Sequence, residues 1–381
     1  MSTLYNKFTK LFAGRMSQNN VPLNNTGQNN NWEEQFVTLL LKWNKFKNHR
    51  QMPWKGEKNP YKIWVSEIIL QQTRVEQGLG YYERFLKAFP NVQTLAEAPE
   101  QEVFKLWEGL GYYSRCKNLI ASAKYIHNEQ NGLFPKDYQA ILALKGVGSY
   151  TAAAIASFAY NLPYAVLDGN VFRVLSRIFD IETPIDSLEG KKLFSALVQN
   201  ILPAKQAGEY NQAIMDFGAT VCKPLPECAI CFFKTKCPAF LQRKQQLLPV
   251  KSKRIAVKER WFNYLIPIYK TRYGIRQRTN KDIWQNLFEF LLVETGKKLP
   301  LKKQLLLFQK SFGIIINECD VNQEIIHVKQ RLTHQTIHFQ FIKLKVLKLP
   351  SFNEGIIWVE GSKLKNYPFP KTLQQYIQSQ S

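Results

Sequence analysis

Apolar residues recur at helical spacing through the first half of the chain. Phe36, Leu40 and Trp43 fall on one face of a helix, and similar patterns continue to about residue 240. Turns marked by Gly or Pro, such as the one at Pro90, separate the helices. No convincing strand alternation occurs in this part, so the pattern predicts an all-α domain over residues 32–240.

The pattern changes after a basic linker at residues 241–257. Residues 264–269 form an apolar run, and residues 337–342 alternate between apolar and polar positions, and both features are strand signals. Residues 304–312 carry helical spacing. Strands and a helix together predict an α+β domain over residues 258–375.

The composition is consistent with two domains and a tail. A chain of 381 residues with 45% hydrophobic residues can bury two cores. Residues 1–31 are rich in Asn and contain no acidic residue, which predicts a disordered tail, with a transit peptide or a start at Met16 as alternatives. No apolar run reaches the roughly 20 residues of a membrane helix, so we expect no membrane partner.

The charge indicates a polyanionic partner. The formal net charge is +23, from 52 Lys and Arg against 29 Asp and Glu. Basic side chains that neutralise phosphates release condensed counterions, which favours nucleic acid over the two alternatives, a surface adapted for solubility and an anionic membrane face. The sequence therefore predicts a nucleic-acid-binding protein.

Four of the six cysteines lie close together, at Cys222, Cys228, Cys231 and Cys237. Four clustered thiolates are the ligand set of structural zinc or of an iron–sulfur cluster, while a disulfide pair and unconnected thiols are the alternatives. The single Cys-x-x-Cys pair does not choose between zinc and iron–sulfur. Clustered thiols with only two others indicate a reducing intracellular compartment.

A Gly-x-Gly turn joins two predicted helices, at residues 138–144 and 149–159. Gly146 and Gly148, with Val147 between them, allow a tight turn that exposes backbone amides. The second helix starts with its positive end at the same place, so this hairpin can bind a phosphate. An ordinary corner between two helices is the alternative.

Two carboxylates are candidates for chemistry. Asp168 precedes a predicted helix at residues 171–179, where it can cap the helix or act as an active-site carboxylate that the helix dipole keeps ionised. Glu67 lies in an otherwise apolar stretch, and a carboxyl group in apolar surroundings has a raised pKa and can act as a general acid. A glutamate that faces solvent at a helix start is the alternative for Glu67.

Together these motifs resemble the helix-hairpin-helix DNA glycosylases that carry a [4Fe–4S] cluster. Residues 66–73, 109–114 and 211–216 are similar to the adenine glycosylase (MutY) family within that superfamily. The match is dense over residues 36–240 and looser over residues 241–370. It implies an all-α helix-hairpin-helix domain with a cluster loop, followed by an α+β Nudix-like domain.

The resemblance implies roles in base excision for the matching residues. Glu67 would protonate the adenine at N7, and Asp168 would stabilise the oxocarbenium-like sugar before water attacks. Tyr150 and Asn170 would hold and tune this site. The hairpin at residues 146–148 would bind DNA phosphate through its backbone.

Other matching residues would contact the bases. Arg50, Trp54 and Gln212 match positions that hold the adenine after it has been flipped out of the duplex. Gln72 and Tyr112 match residues that insert into the base stack, fill the gap and wedge the opposite base. The implied partner is double-stranded DNA with adenine opposite 8-oxoguanine or guanine, bound by a monomer.

The residue at position 150 predicts a monofunctional enzyme. Related enzymes that also cut the DNA backbone have a nucleophilic lysine there, whereas this chain has Tyr150, and Lys145 lies on the other side of the hairpin. The alternatives are a bifunctional pyrimidine-lesion glycosylase and lyase of the endonuclease III type, and an iron–sulfur DNA-binding protein without catalysis.

The cysteine loop departs from the family in one respect. The loop follows the helix-hairpin-helix domain, and this position makes [4Fe–4S] the expected group rather than zinc. The family usually has six residues between its first two cysteines, whereas five separate Cys222 from Cys228. The loop must therefore be one residue tighter.

The second domain resembles the Nudix-like domain of the same family. The glutamate cluster that binds Mg²⁺ in Nudix hydrolases is missing, since Glu289 and Glu294 stand apart along the chain, so we expect binding without hydrolysis. The family reads the base opposite the adenine with a Phe-Ser-His turn, where this chain has Leu332, Thr333 and His334. We expect Thr333 and His334 to distinguish 8-oxoguanine from guanine by hydrogen bonds, with an ordinary surface histidine as the alternative for His334.

Overall fold

The computed structural model describes residues 32–252, 257–313, 325–332, 334–346 and 355–380. The predicted tail at residues 1–31 and the candidate residue Thr333 lie outside the described residues. Helices alone build the described part of the first domain, and a mixed sheet with helices builds the second. The predicted fold class, an all-α domain followed by an α+β domain, is confirmed.

The first domain begins with a long amphipathic helix and ends with a short one after the cysteine loop. Its helices are α1 (Trp32–Lys47), α2 (Pro60–Leu70), α3 (Val75–Ala88), α4 (Val92–Glu97), α5 (Glu100–Leu106), α6 (Tyr113–Glu129), α7 (Tyr138–Leu142), α8 (Ser149–Tyr160), α9 (Gly169–Ile178), α10 (Leu188–Asn200), α11 (Ala207–Thr220) and α12 (Pro238–Leu241). The helices predicted around the hairpin and after Asp168 are α7, α8 and α9. None of the described helices is long and apolar enough to cross a membrane.

Buried side chains of the first domain form two hydrophobic cores that meet at α8. One core lies among α2–α7 and includes Trp64, and the other lies among α1 and α9–α11 and includes Phe217. Residues 151–157 of helix α8 are all buried, as expected for a helix that packs on several sides. It contributes Ile155 to the first core and Ala154 to the second. The domain therefore has two lobes that share one central helix.

The second domain is built on a seven-stranded mixed sheet. Its elements are β1 (Lys258–Tyr269), β2 (Arg272–Gln277), β3 (Phe288–Glu289), β4 (Leu291–Thr295), α13 (Leu301–Phe312), β5 (Ile326–Arg331), β6 (Gln335–Lys345), β7 (Ile356–Glu360) and α14 (Lys371–Gln378). The strand order is β3-β2-β1-β6-β5, with β4 also paired to β1 and β7 to β2. Strands β1 and β6 are parallel, and the other pairs are antiparallel. The predicted strands at residues 264–269 and 337–342 form parts of β1 and β6.

The described part of the predicted linker packs against the first domain. Leu248 is buried in the second core, and its carbonyl accepts a hydrogen bond from Arg177 Nε at 3.2 Å. The Val250 carbonyl accepts from the Ile185 amide at 3.0 Å. The chain is therefore tied to the helical lobe until shortly before β1.

The two domains contact each other beside α5 and α6. Leu287 of the second domain is fully buried in the first core. The Phe369 amide donates to Glu108 Oε1 at 3.0 Å, and Lys117 Nζ lies 3.3 Å from Gln285 Oε1. The second domain is thus held beside the lobe that carries α2.

Candidate active site

Glu67 is buried inside helix α2. The helix begins with Pro60 at its first position, and the side chain of Asn59 caps it by accepting from two backbone amides. Residues that follow are almost all buried, and only 6% of Glu67 is exposed. Burial raises the pKa of Glu67 to about 7, and the charge of Asp168 acts in the same direction. Glu67 therefore does not face solvent, and it can hold a proton near neutral pH.

Tyr150 and Asp168 complete a constellation around Glu67. Tyr150 lies in the first turn of the shared helix α8 and hydrogen-bonds to the Glu67 carboxyl group. Asp168 caps α9, since its Oδ1 accepts from the Val171 amide at 2.8 Å and its Oδ2 from Asn170 Nδ2 at 2.8 Å. Burial outweighs these hydrogen bonds, so the pKa of Asp168 lies above its ordinary value.

The constellation lies where the two lobes meet. Glu67 comes from α2 of the first lobe, Asp168 from the start of α9 in the second lobe, and Tyr150 from α8 between them. The two carboxylates have different surroundings, because half-buried Asp168 accepts hydrogen bonds from a backbone amide and Asn170, whereas Glu67 is buried in largely apolar packing with Tyr150 as its hydrogen-bond partner. This difference suits the Glu67 carboxyl group to proton donation and the Asp168 carboxylate to stabilising positive charge.

Two of the three predicted pocket residues, Arg50 and Gln212, bind Asp216, a residue that the sequence did not single out as functional. Asp216 is fully buried on α11 and accepts from Arg50 Nη1 at 2.9 Å and from Gln212 Nε2 at 3.0 Å. Lys55 Nζ lies 3.0 Å from its other oxygen. Trp54 packs edge-on against another aromatic ring at a centroid distance of 5.4 Å. The cationic cluster therefore surrounds one buried anion.

The hairpin exposes backbone where the sequence predicted it. Gly146 has a φ of +80°, and a Cβ there would lie 2.7 Å from the Cβ of Asn118, so only glycine fits. Val147 is buried and anchors the turn, while Gly146 and Gly148 are exposed. Gly148 is the N-cap residue of α8, which places the positive end of that helix at the surface.

Gln72 and Tyr112 share an unusual backbone conformation. Their φ angles are +57° and +48°, in the left-handed region that residues with side chains rarely adopt. Gln72 lies in the turn between α2 and α3, and Tyr112 immediately precedes α6. Both are exposed, Tyr112 by 43%. The structure therefore presents both predicted inserting residues at the surface from constrained turns.

The four cysteines line one cavity beside α9 and α11. All are free thiols, so the disulfide alternative is not realised. Hydrogen-bond donors surround the sulfurs, because Arg177 Nη1 lies 3.5 Å from Cys222 Sγ and the Phe233 amide hydrogen-bonds to Cys231. Among the described residues, no three His, Cys, Asp or Glu side chains are grouped closely enough to hold a single ion.

The shorter spacing of the first two cysteines is accommodated by local contacts. The Glu227 amide donates to the Val221 carbonyl at 3.0 Å, and the side chain of Glu227 pairs with Lys223. Arg173 connects this loop to the active site, since its Nε donates to the Cys222 carbonyl at 2.8 Å and its Nη2 to Asn170 Oδ1 at 2.7 Å. The loop is thus closed and joined to the residue that binds Asp168.

Asp282, Glu289 and Glu294 of the second domain are each paired with arginine. Arg278 binds Glu289 and Asp282, and Arg260 binds Asp282 and Glu294. Glu289 and Glu294 lie five positions apart along the chain and line one cavity of about 290 Å³. Because each carboxylate has a guanidinium partner, these groups do not form a divalent-metal site of the Nudix kind.

His334 lies at the turn between β5 and β6. Its side chain is exposed, and its carbonyl accepts from the Lys258 amide at 3.0 Å. Gln335 follows it and lies 3.2 Å from Arg260 Nη1. The turn that carries His334 is therefore fixed to β1 and to the arginine network.

Known proteins are similar to the chain in both domains. Residues 65–200 match the model of the HhH-GPD superfamily base excision DNA repair proteins, and residues 263–379 match the NUDIX domain. The adenine DNA glycosylase of Buchnera aphidicola subsp. Baizongia pistaciae is 35% identical over 327 residues, covering 85% of this chain and 90% of the relative. The chain belongs to the adenine DNA glycosylase family. This membership confirms the predicted family and the predicted class of enzyme, a hydrolase of N-glycosyl bonds.

A human relative and a solved structure are each similar to about half of the chain. The human adenine DNA glycosylase is 39% identical over 224 residues, which cover 56% of this chain and 41% of that protein. The structure of a thermostable thymine-DNA glycosylase matches with a TM-score of 0.52 and 27% identity, and it covers 55% of this chain and 97% of its own. These relatives favour neither alternative, the endonuclease III type or a protein without catalysis.

Proposed function

We propose that the protein removes adenine from double-stranded DNA by hydrolysing its N-glycosidic bond, where the adenine lies opposite 8-oxoguanine or guanine. The observation that carries this proposal is the constellation of Glu67, Tyr150 and Asp168 at the seam between the lobes. A buried carboxyl group with a pKa of about 7 meets a second carboxylate there. Membership of the adenine DNA glycosylase family supports the choice of base.

The side chains divide the reaction between them. Glu67 gives its proton to N7 of the adenine, so that the bond between N9 and C1′ breaks and its electron pair leaves with the base. Asp168 stabilises the positive charge that develops on the sugar, and a water molecule then adds to C1′ and loses a proton. Tyr150 and Asn170 fix the two carboxyl groups. The products are free adenine and an abasic site in an intact strand.

The pocket around Asp216 would receive the flipped base. Arg50 and Gln212 offer donors beside this buried anion. With Trp54 as an aromatic surface, they would suit a base read on its edges and stacked on its face. Gln72 and Tyr112 would fill the space that the adenine leaves. Exposed backbone at residues 146–148 would bind a phosphate of the same strand.

The cysteine cavity would hold a [4Fe–4S] cluster. Cys222, Cys228, Cys231 and Cys237 would be its ligands, since all four line one cavity with donors directed at the sulfurs. The cluster would supply cross-linking of the loop rather than a step of the reaction. In the second domain, Thr333 and His334 would read the base opposite the adenine.

A duplex cleavage assay tests the function. Purified protein is incubated with a labelled duplex that carries adenine opposite 8-oxoguanine, and samples are analysed with and without hot alkali. We expect a strand break only after alkali, because Tyr150 occupies the position of the lyase lysine. A break without alkali, trapped as a covalent adduct by borohydride, would indicate the bifunctional alternative, and binding without any break would indicate the non-catalytic one.

A further inference from the structure

Arg115 is a buried arginine that binds no carboxylate in the part of the chain that the structure describes. It lies in the first turn of α6, three residues after Tyr112, and only 7% of it is exposed. Burial lowers its pKa to about 10, so it stays protonated at neutral pH. A buried charge without a counter-ion is unfavourable unless other dipoles solvate it. The groups that surround the guanidinium must therefore solvate its charge.

One side of the guanidinium binds the end of α2. Its Nη1 lies 2.8 Å from the carbonyl oxygens of both Ile68 and Ile69, and 2.5 Å from that of Gln71. The last carbonyls of a helix lack partners within the helix and carry the negative end of its dipole. Arg115 thus neutralises the end of the helix that carries Glu67, directly before Gln72.

The other side binds the turn that carries Tyr112. Nη2 lies 3.2 Å from the Gly111 carbonyl and 3.3 Å from Thr73 Oγ1. The guanidinium carbon lies 5.4 Å from the centre of the Tyr112 ring. A single side chain therefore bridges the two turns that present Gln72 and Tyr112.

Both turns contain a disfavoured backbone conformation that contacts such as those of Arg115 must stabilise. Gln72 and Tyr112 are held in left-handed conformations that are disfavoured for residues with side chains, and such conformations persist only where the surroundings determine them. The carbonyl of the residue directly before each, Gln71 and Gly111, is bound by Arg115. The planar guanidinium presents donors on separate nitrogens in a fixed fork, whereas the donors of a lysine ammonium all lie on one nitrogen and cannot reach both turns in the same way.

We propose that Arg115 is a positioning residue for base extrusion, which fixes the separation and orientation of Gln72 and Tyr112 so that both enter the base stack together. The inference rests on the proposed function and on the inserting roles of these two residues. Arg115 does not take part in the bond-breaking step, because Arg115 contacts the two turns and not the carboxyl groups of Glu67 or Asp168.

The test uses the full chain with Arg115→Lys and Arg115→Met. Arg84→Met is the matched control, because Arg84 is an exposed arginine that also lies over a tyrosine ring, at 4.7 Å. A duplex with 2-aminopurine in place of the target adenine reports unstacking by its fluorescence, and single-turnover release of adenine is measured on the natural base. We expect both Arg115 variants to lower the extrusion signal and the rate by about 10- to 100-fold, since a misplacement of about 1 Å can cost 100-fold, with the control unchanged.

A double-mutant cycle distinguishes positioning from a general structural effect. If Arg115 acts through Gln72, Arg115→Lys combined with Gln72→Ala should lose little more activity than Gln72→Ala alone. Additive losses, or Arg115→Lys with normal fluorescence and rate, would overturn the inference even if Arg115→Met fails to fold. Failure of the unaltered protein to release adenine would instead overturn the proposed function, and this inference with it.

Discussion

Replacement of Glu67 by glutamine should remove the reaction and also remove a pH-dependent loss of stability. Glu67 is buried, and its pKa is about 7 against an ordinary value of 4.5. Between pH 4.5 and pH 7, Glu67 therefore stays protonated in the folded protein but is ionised in the unfolded chain. The favourable contribution of neutral Glu67 is fully present below pH 4.5 and is lost as pH rises through 7.

The size of the effect follows from the two pKa values. Their difference is about 2.5, which corresponds to about 3 kcal/mol because each pKa unit is worth about 1.4 kcal/mol. Glutamine keeps the shape of the side chain and cannot ionise. The free energy of unfolding of Glu67→Gln relative to the unaltered protein should therefore rise by about 3 kcal/mol between pH 5 and pH 8.

Thermal unfolding at several pH values measures this difference. In a helical domain of this size, about 3 kcal/mol corresponds to roughly 6–12 °C in Tm. The Tm of Glu67→Gln, measured relative to that of the unaltered protein, should rise by this amount as the pH is raised. Glu76→Gln, at an exposed position of α3, is the matched control and should show a difference that does not vary with pH. If the Tm difference between Glu67→Gln and the unaltered protein is the same at pH 5 and pH 8, the assignment of Glu67 as a buried acid is refuted.

Three further predictions concern the neighbours of Glu67, the pocket and the cysteine loop. Tyr150→Phe removes a hydrogen bond that lowers the pKa of Glu67, so the alkaline limb of the single-turnover pH profile should move to higher pH; a shift to lower pH would contradict this. Asp216→Asn should raise the Kd for a duplex with a non-cleavable adenine analogue by about tenfold or more, because hydrogen bonds to charged groups contribute about 1.5–3 kcal/mol; an unchanged Kd would contradict it. Cys222→Ser should lose the broad absorbance expected near 400 nm for an iron–sulfur cluster, whereas Cys116→Ser, buried in α6, should keep it. Absorbance spectroscopy and elemental analysis measure this, and zinc in the unaltered protein would contradict the cluster.

Residues whose role follows from local sequence were predictable. The Gly-x-Gly turn, the cap at Asp168 and the glutamate within an apolar run each carry their signal in neighbouring positions, and the structure shows the expected local geometry at each. The two-lobed arrangement that brings Glu67 to Asp168 depends on which helices pack together, and spacing alone does not determine it.

Residues whose role depends on distant backbone were not predictable. Arg115 binds carbonyl oxygens, which every residue possesses, so no partner side chain marks it in the sequence. Asp216 accepts hydrogen bonds from polar and cationic side chains that lie more than 160 positions away along the chain. At Asp168, loss of solvation outweighs the hydrogen bonds of the helix end, so the pKa of this carboxyl group lies above its ordinary value, which the local sequence did not indicate.

Detection of free adenine tests most directly that the protein releases this base with Glu67 as the acid. Purified protein is mixed in excess with a duplex that carries adenine opposite 8-oxoguanine, and the released base is identified by mass spectrometry alongside Glu67→Gln. We expect the unaltered protein to release one adenine per duplex and leave the strand intact until alkali is added, and the variant to release none. Equal release by Glu67→Gln, or no adenine from the unaltered protein, would contradict the account.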